Sequence, residues 1–447
     1  MKYTGIQLLE NAPVSTAIIR LSLPMMAAML SQAIYFMTDI FFIGKIGDPN
    51  VVAAVNIVYP IFMLSLSIGT IFSIGGSSYI SRMLGQEDIT ESQKTSSVCF
   101  YFSLISGLFF AVLLVFFKTY ILKNIGTSEK TFTHTDSYYS IFTLFFPFSV
   151  ANIFLSGLLR SEGATSKAMV LQLIGIVINI MLDPILIFVL NWGIKGAVWA
   201  TVTGQLASFS YGIWYLLGKE ISLSISFKNN KPNNAMLRNV FFIGVPAGLS
   251  NFLMSLAFIL KNRIAASYGD HVVAGSGIQH RLIDFFILIV IGLTMGYQPF
   301  AGFNFGAKNI ERLRKGFIFT MFSSTAICFI GCVLFFAFDK HLIGFFINDE
   351  QTIEAGAIML RAFIIGLFFI GIHSTLMTTY QALGKSIEAT ILTFGRQLLV
   401  YFPLLYILNS LFGFSGFILA LPLTDVFTAI IALGLSGSFF RLIFKTK

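Results

Sequence analysis

Charged residues are scarce in this sequence. Asp, Glu, Lys and Arg make up 11% of its 447 residues, whereas about 25% is typical of a soluble domain. Hydrophobic residues make up 56%, above the roughly 45–50% of an ordinary globular chain. The composition therefore excludes an ordinary soluble protein and indicates one that buries much of its surface in a membrane.

Cysteines are few, and recognisable enzyme motifs are absent. Of the three cysteines, Cys328 and Cys332 are one helical turn apart without a nearby histidine, so we expect buried apolar thiols rather than a metal or redox pair. The sequence has no HExxH or GxSxG motif, and the GKS at 384–386 lacks the first glycine of a phosphate-binding loop. We therefore expect a protein that is not an enzyme, does not use ATP directly and has no bound cofactor.

Long apolar segments recur along the whole chain, each with roughly the 20 residues that a helix needs to cross a bilayer. We predict an all-α membrane protein with twelve transmembrane helices and no soluble domain. The predicted spans are 18–42, 51–75, 97–117, 138–159, 168–190, 194–217, 238–260, 272–299, 316–338, 357–383, 389–411 and 414–437.

The distribution of positive charge predicts the orientation. Most of the Lys and Arg fall at the two termini and in the loops after the even-numbered spans, near 80–96, 160–167, 218–238, 304–316 and 384–388. Such an excess marks the cytoplasmic side, so we expect both termini in the cytoplasm. The first span continues past Pro24 without a cleavage site, so no removable signal peptide is expected. The net charge of +9 reflects topology and does not indicate a nucleic-acid partner.

The two halves of the chain repeat one another. A shift of 222 residues places Pro24 on Pro246 (246 − 24 = 222) and the turn at 46–53 on the turn at 268–275. Each copy has six spans, an even number, so both copies have the same orientation and are related by a pseudo-two-fold axis along the membrane normal. We predict two six-helix lobes, 1–217 and 238–447, joined by a cytoplasmic linker at 218–237.

Four aspartates fall inside predicted spans, where an ionised side chain is costly and usually functional. They are Asp39, Asp183, Asp284 and Asp425. With a rise of 1.5 Å per residue, Asp183 lies roughly 22 Å from the inner end of its span, and Asp39 is at a similar level in the first span. Asn179 is one turn below Asp183, and Tyr35 is one turn below Asp39.

These side chains are expected to form a cation site in the outer half of the first lobe. Thr201, roughly 10 Å below the outer surface, is within reach of Asp183. Pro184 has no N–H to give to the carbonyl of Ile180, which frees a further oxygen. Such oxygens suit a hard cation or a proton, and the alternative is that Asp183 only caps a helix kink or hydrogen-bonds its neighbour. The predicted coupling residues, which would be the metal ligands if the ion is Na⁺, are Asp39, Asn179, Asp183 and Thr201.

Charge in the second lobe is expected to be mainly structural. Arg281 and His280 share a helical face with Asp284, so we predict that Arg281 and Asp284 pair one turn apart. The alternative is an acid–base pair formed by His280 and Asp284. Asp425 has no partner identifiable from the sequence, and His373 is open to interpretation as a proton relay or as a packing residue.

Three stretches of the chain resemble a known family. They are IIRLSLPMMAAMLSQAIYFMTDIFFIGKIG (18–47), RSEGATSKAMVLQLIGIVINIMLDPIL (160–186) and GIKGAVWATVTGQ (193–205). With the rest of the chain they are similar to the multidrug and toxic compound extrusion (MATE) transporters, especially the bacterial staphylococcal-type efflux branch. The resemblance implies a twelve-helix, two-lobed, V-shaped antiporter of the bacterial cytoplasmic (inner) membrane. Such a protein exports cationic, amphipathic drugs in exchange for Na⁺ or H⁺ by alternating access.

The resemblance also implies which residues bind the coupling ion. It places the cation on Asp39, Asn179, Asp183 and Thr201, with Tyr35 and Asn152 nearby. Some members have an acidic site on the seventh and tenth spans, but 238–260 and 357–383 contain no Asp or Glu. Coupling is therefore expected to rest on the first lobe.

The expected partners are small organic cations and the lipid bilayer, and the expected state is a monomer. Two alternatives belong to other classes. The first is a lipid-linked glycan flippase of the related superfamily, which the basic side chains of the second lobe keep open: Lys261, Arg281, Arg361 and Arg396. The second is an intramembrane enzyme built on His280 and Asp284.

Overall fold

A computed structural model describes residues 5–218, 223–227 and 232–444, and these residues are almost entirely helical. Its α-helices are α1 (Ile6–Glu10), α2 (Val14–Gly44), α3 (Pro49–Gly85), α4 (Ile89–Phe116), α5 (Lys118–Asn124), α6 (Glu129–Leu144), α7 (Phe146–Ser161), α8 (Thr165–Pro184), α9 (Ile194–Leu216), α10 (Asn234–Ala266), α11 (Asp270–Gly306), α12 (Ile310–Gly344), α13 (Glu350–Leu383), α14 (Ser386–Gly395), α15 (Phe402–Leu435) and α16 (Gly437–Phe444). Two π-helical segments, Ile185–Val189 and Arg396–Tyr401, follow α8 and α14.

The predicted membrane spans coincide with these helices. Nine helical stretches of the described chain are long and apolar enough to cross a bilayer, and α6 with α7, bent by 55°, provides a tenth span. The stretch 386–435 counts once among the nine, but at Gly413 it has a non-helical backbone that separates two of the predicted spans. Adding α9, with 23 residues, completes the twelve. The all-α, twelve-span class is confirmed.

Polar side chains begin several of the helices. A helix leaves its first N–H groups without partners, and Asp, Asn or Ser at the preceding position accepts from them. Asp48 accepts from the N–H of Asn50 at the start of α3, and Ser128 and Thr131 form a capping box on α6. Short polar loops thus separate apolar helices without leaving backbone donors unpaired.

The internal repeat is visible in the backbone. Four turns of the first half have a residue with positive φ, and a turn at the corresponding position of the second half has one as well. The matched pairs are Gly47 and Gly269, Glu87 and Lys308, Gly163 and Gly384, and Gly193 and Gly413. Gly193 and Gly413 share nearly the same conformation, with φ of 53° and 56° and ψ of −130° and −132°. Since a shift of 220 to 222 residues relates each pair, the predicted repeat is confirmed at the level of local structure.

Contacts divide the chain into two compact units. The first unit is Ala27–Gly248, and the second comprises Gln7–Met26 and the chain from Leu249 onward. The chain therefore leaves one unit for the other inside α2 and inside α10, each time two residues after a proline, Pro24 or Pro246. The predicted lobe boundaries at 217 and 238 remain a prediction.

Close helix packing in both units depends on small residues. In the first unit, a Cβ atom at Gly244 would lie 2.1 Å from the carbonyl oxygen of Ile71, so only glycine lets α10 approach α3. In the second unit, Gly296 allows α11 the same approach to α2 at Ser22, whose hydroxyl donates to Leu293 O over 2.8 Å. Small residues at helix interfaces are typical of membrane helix packing.

Part of the predicted linker is described. The hydroxyls of Ser96 and Ser97 on α4 donate to Ser224 O over 2.6 and 2.9 Å, and the hydroxyl of Tyr101 donates to Ile225 O. The segment 223–227 is thus fastened to α4. Six lysines that support the predicted orientation lie outside the described residues: Lys2, Lys219, Lys228, Lys231, Lys445 and Lys447.

Candidate cation site

The four predicted coupling residues lie in the first unit, on three helices. Asp39 is on α2, Asn179 and Asp183 are on α8, and Thr201 is on α9. All four are buried, and Asp183 has no exposed surface. Nδ2 of Asn179 donates to Oγ1 of Thr201 over 3.2 Å, and that hydroxyl donates to the carbonyl of Ala197 over 3.1 Å.

Several acceptor oxygens of this group have no donor within the part of the chain that the structure describes. They are both carboxylate oxygens of Asp183, Oδ1 of Asp39 and Oδ1 of Asn179. A buried carboxylate without a partner is strongly disfavoured, so this group requires a proton or a cation for its charge. The described residues contain no cluster of three or more His, Cys, Asp and Glu side chains suited to a metal ion. Two carboxylates with neutral oxygens fit a monovalent cation better than a transition metal.

Two tyrosines complete the surroundings. Tyr35 on α2 was expected near the site, and Tyr138 on α6 was missed by the sequence reasoning. Both are half-buried and lie near enough to Asp39, Asp183 and Thr201 to interact with them. The available signal was depth, since Tyr138 starts the fourth predicted span at the outer level of the carboxylates.

The approach of α8 to α9 positions the site. A Cβ atom at Gly204 would lie 2.5 Å from the carbonyl oxygen of Gly175, so two glycines let the helix backbones come together beside Asn179. Beyond Pro184 the chain winds as a π-helix through Val189, consistent with a proline that cannot donate to the preceding turn. The kink thus lies directly after Asp183.

Asn152 lies one turn away from this group. Its Nδ2 atom donates to the carbonyl of Gln205 on α9 over 2.6 Å, and Gln205 is one turn beyond Thr201. Oδ1 of Asn152 is buried and has no partner among the described residues. Asn152 therefore supports α9 below the site.

The expected pairing of Arg281 with Asp284 was wrong. Arg281 is exposed, and the described chain has no ion pair between these two residues. Instead Nε2 of His280 lies 3.5 Å from Oδ2 of Asp284, because residues four apart on a helix meet more directly. Lys261, at the repeat position of Asp39, is buried and donates to Oε1 of Gln279 over 3.2 Å.

The buried charge of the second unit is paired elsewhere. Arg396 makes two hydrogen bonds to Oδ1 of Asp425, a partner that the sequence did not reveal. Arg361 pairs with the buried Asp339. Nε2 of His373 contacts the carbonyl of Leu392 at 3.0 Å, which favours the packing interpretation of this histidine.

Comparisons with known proteins identify the family. The MatE family model matches residues 24–185 and 246–407, two segments whose starts differ by 246 − 24 = 222 residues, the shift of the internal repeat. The multidrug export protein MepA of Staphylococcus aureus (strain MRSA252) is 32% identical over 434 residues, covering 97% of this chain and 96% of MepA. MepA of Staphylococcus haemolyticus (strain JCSC1435) is 33% identical over 425 residues, covering 95% and 93%.

Solved structures show the same fold. An outward-facing multidrug resistance MATE transporter of the MOP superfamily matches with a TM-score of 0.92 and 23% identity over the full length of both chains. A MOP superfamily transporter from Pyrococcus furiosus, described with a binding pocket of reverse polarity, matches with a TM-score of 0.91 and 24% identity, also over the full length of both. With its two family matches and its two unpartnered buried carboxylates, the chain belongs to the MATE family of membrane transporters.

Proposed function

We propose that this protein is a secondary antiporter that exports amphipathic organic cations in exchange for Na⁺ or H⁺. The observation that carries the proposal is the set of buried acceptor oxygens without donors on Asp39, Asn179 and Asp183. The drug specificity is inferred from the staphylococcal relatives, which are multidrug export proteins.

The geometry suggests how the ion is held. Asn179 uses its amide N–H on Thr201, which leaves its oxygen for a cation, and the Thr201 hydroxyl already donates to Ala197 O, which leaves the lone pairs of its oxygen. Asp39 and Asp183 supply the negative charge. Each residue thus presents an oxygen, and the donors that would compete with a cation are occupied elsewhere.

Coupling follows from the cost of an unpaired charge. With no cation, two carboxylates in a buried group repel one another and lack solvent. Binding one Na⁺, or protonating the carboxylates, removes that cost and stabilises the conformation in which the site is closed. A ligand shifts a conformational equilibrium only through its different affinities for the two states, and a site that changes from solvated to buried provides such a difference. The organic cation then leaves when the coupling ion binds.

Driven transport in proteoliposomes tests the proposal. The purified protein is reconstituted, and extrusion of ethidium, a flat organic cation, is followed after an imposed Na⁺ gradient and, separately, an imposed pH gradient. One gradient should drive extrusion by the parent protein, and Asp183→Asn should abolish it. Asp284→Asn is the matched control, because it removes a carboxylate outside the site.

The result that would overturn the proposal is clear. Ethidium extrusion by Asp183→Asn at the parent rate under the same gradient would exclude coupling at this site. Lipid-linked glycan translocation without ethidium transport would favour the flippase. The proposal also places the protein as a monomer in the bacterial cytoplasmic membrane with both termini inside.

A further inference from the structure

A cavity of about 690 Å³ opens at one end of the first unit. It is lined by the turn after α2, the first turns of α6 and the connection between α8 and α9. These are helix ends that the charge distribution predicts to be extracellular. Its polar lining includes Asp48, His134, Ser137 and Lys195, and Nε2 of His134 lies 3.6 Å from Oδ2 of Asp48.

A thin apolar layer separates this cavity from the cation site. The layer, here called the apolar plug, is a buried cluster of Ile43, Val51, Ala54, Ile187, Ile194 and Ala197. Val51 and Ile194 also line the cavity, so they form its floor.

The plug lies directly over the cation site. Ile43, Ile187 and Ala197 are each four residues, or one helical turn, from Asp39, Asp183 and Thr201 respectively. Tyr138 packs against the plug and is one turn beyond His134 of the cavity wall. Seven residues separate Ile194 from Thr201 along α9, which is about 10 Å of helix.

We propose that the cavity and the plug form an access route by which the monovalent coupling cation reaches Asp39 and Asp183 from the outer face of the first unit. Asp48, at the mouth of the cavity, attracts the cation, and Lys195 on the opposite wall repels it. The two alanines of the plug, Ala54 and Ala197, leave the layer narrow, so a small shift of α9 against α3 opens it. The inference rests on the proposed function, because it assumes that a cation must reach this site.

Opposite charges at the mouth give predictions of opposite sign. Over about 10 Å in water at low ionic strength, one unit charge changes the local cation concentration about twofold. Asp48→Asn should therefore raise the Na⁺ concentration, or proton concentration, that gives half-maximal ethidium extrusion about twofold, and Lys195→Gln should lower it about twofold. The KM for ethidium should stay unchanged in both variants. Asparagine at position 48 still caps α3, so the fold is preserved.

The Lys118 and Asp136 pair provides the matched controls. These residues form an ion pair at 2.7 Å near the same helix ends and do not line the cavity. Lys118→Gln and Asp136→Asn should leave the half-maximal ion concentration unchanged. Equal shifts in these controls, or shifts of the same sign in Asp48→Asn and Lys195→Gln, would overturn the proposal.

Thiol labelling tests the route without assuming which ion is coupled. In intact cells, a cysteine replacing Ser137 in the cavity, in a background free of native cysteines, should react faster with a trimethylammonium methanethiosulfonate than with the sulfonate analogue. Asp48→Asn should reduce that preference, and Lys195→Gln should increase it. If wild-type extrusion depends on neither gradient, the proposed function fails while this result still tests the route. Equal rates with both reagents would exclude a cation-selective route.

Discussion

Nε and Nη2 of Arg396 both donate to the same oxygen of Asp425, over 3.0 and 2.6 Å. Asp425 is buried on α15, and Arg396 begins the π-helical segment that precedes that helix. The second carboxylate oxygen has no partner among the described residues. Charge in the second unit is therefore held by a buried pair between two adjoining helical segments.

Removing one member of this pair should damage the fold. Arg396→Gln or Asp425→Asn leaves a buried charge unpaired, so each should lower stability by about 3–5 kcal/mol, while the double variant should be milder. Thermal unfolding in detergent measures the effect.

Arg281→Gln and Asp284→Asn are the controls, because both positions are at least partly exposed. These changes should cost less than about 1 kcal/mol. Equal destabilisation by both single variants and the double variant would contradict the role of the Arg396 and Asp425 pair.

Replacing Asp183 should spare the fold. Because its carboxylate oxygens have no partners in the described chain, Asp183→Asn breaks no hydrogen bond and removes a buried charge, so the melting temperature should stay the same or rise. If Na⁺ is the coupling ion, added Na⁺ should stabilise the parent protein by mass action and leave the variant unaffected. A large loss of stability in Asp183→Asn without Na⁺ would point to a structural role instead.

Two glycines of the repeat should not tolerate a methyl group. A Cβ atom would lie 2.7 Å from the carbonyl group of Leu186 at Gly196 and 1.9 Å from the carbonyl oxygen of Leu408 at Gly416. Gly196→Ala and Gly416→Ala should each lose about 1–3 kcal/mol. Gly434 has no atom near its Cβ position, so Gly434→Ala should be neutral or slightly stabilising. Unfolding of the three variants in detergent provides the comparison, and equal stability would show that the turns adjust.

The predicted orientation is testable at the linker. A cysteine replacing Asn230, a position outside the described residues, should be protected from a membrane-impermeant thiol reagent in intact cells, since the Lys and Arg distribution places the linker inside. A cysteine replacing Asn124, at the opposite end of α5, should react. Labelling at position 230 in unbroken cells would reverse the topology.

Sequence reasoning succeeded where a residue's helix and depth decide its role. Asp39, Asn179, Asp183 and Thr201 were grouped from their levels in three spans, and the structure brings them into one buried group. It failed where the partner comes from a distant part of the chain. Arg396 and Asp425 are 29 residues apart, and no spacing rule joins an arginine in a π-helical segment to an aspartate two turns into the next span. Arg281 was wrongly paired because charge alone was weighed, without knowing which face of α11 is exposed.

The sequence by itself determined the membrane class, the twelve spans, the repeat and the depth of each carboxylate. These follow from hydrophobicity, helix rise and self-similarity, which are local properties of the chain. Only the tertiary structure decided which acceptors stay unpartnered, that Tyr138 joins the site, and that an apolar plug separates it from a cavity. Those outcomes depend on how α2, α6, α8 and α9 rotate and approach one another. That packing is governed by close contacts such as Gly175 with Gly204, whose energies depend on the distances between helices.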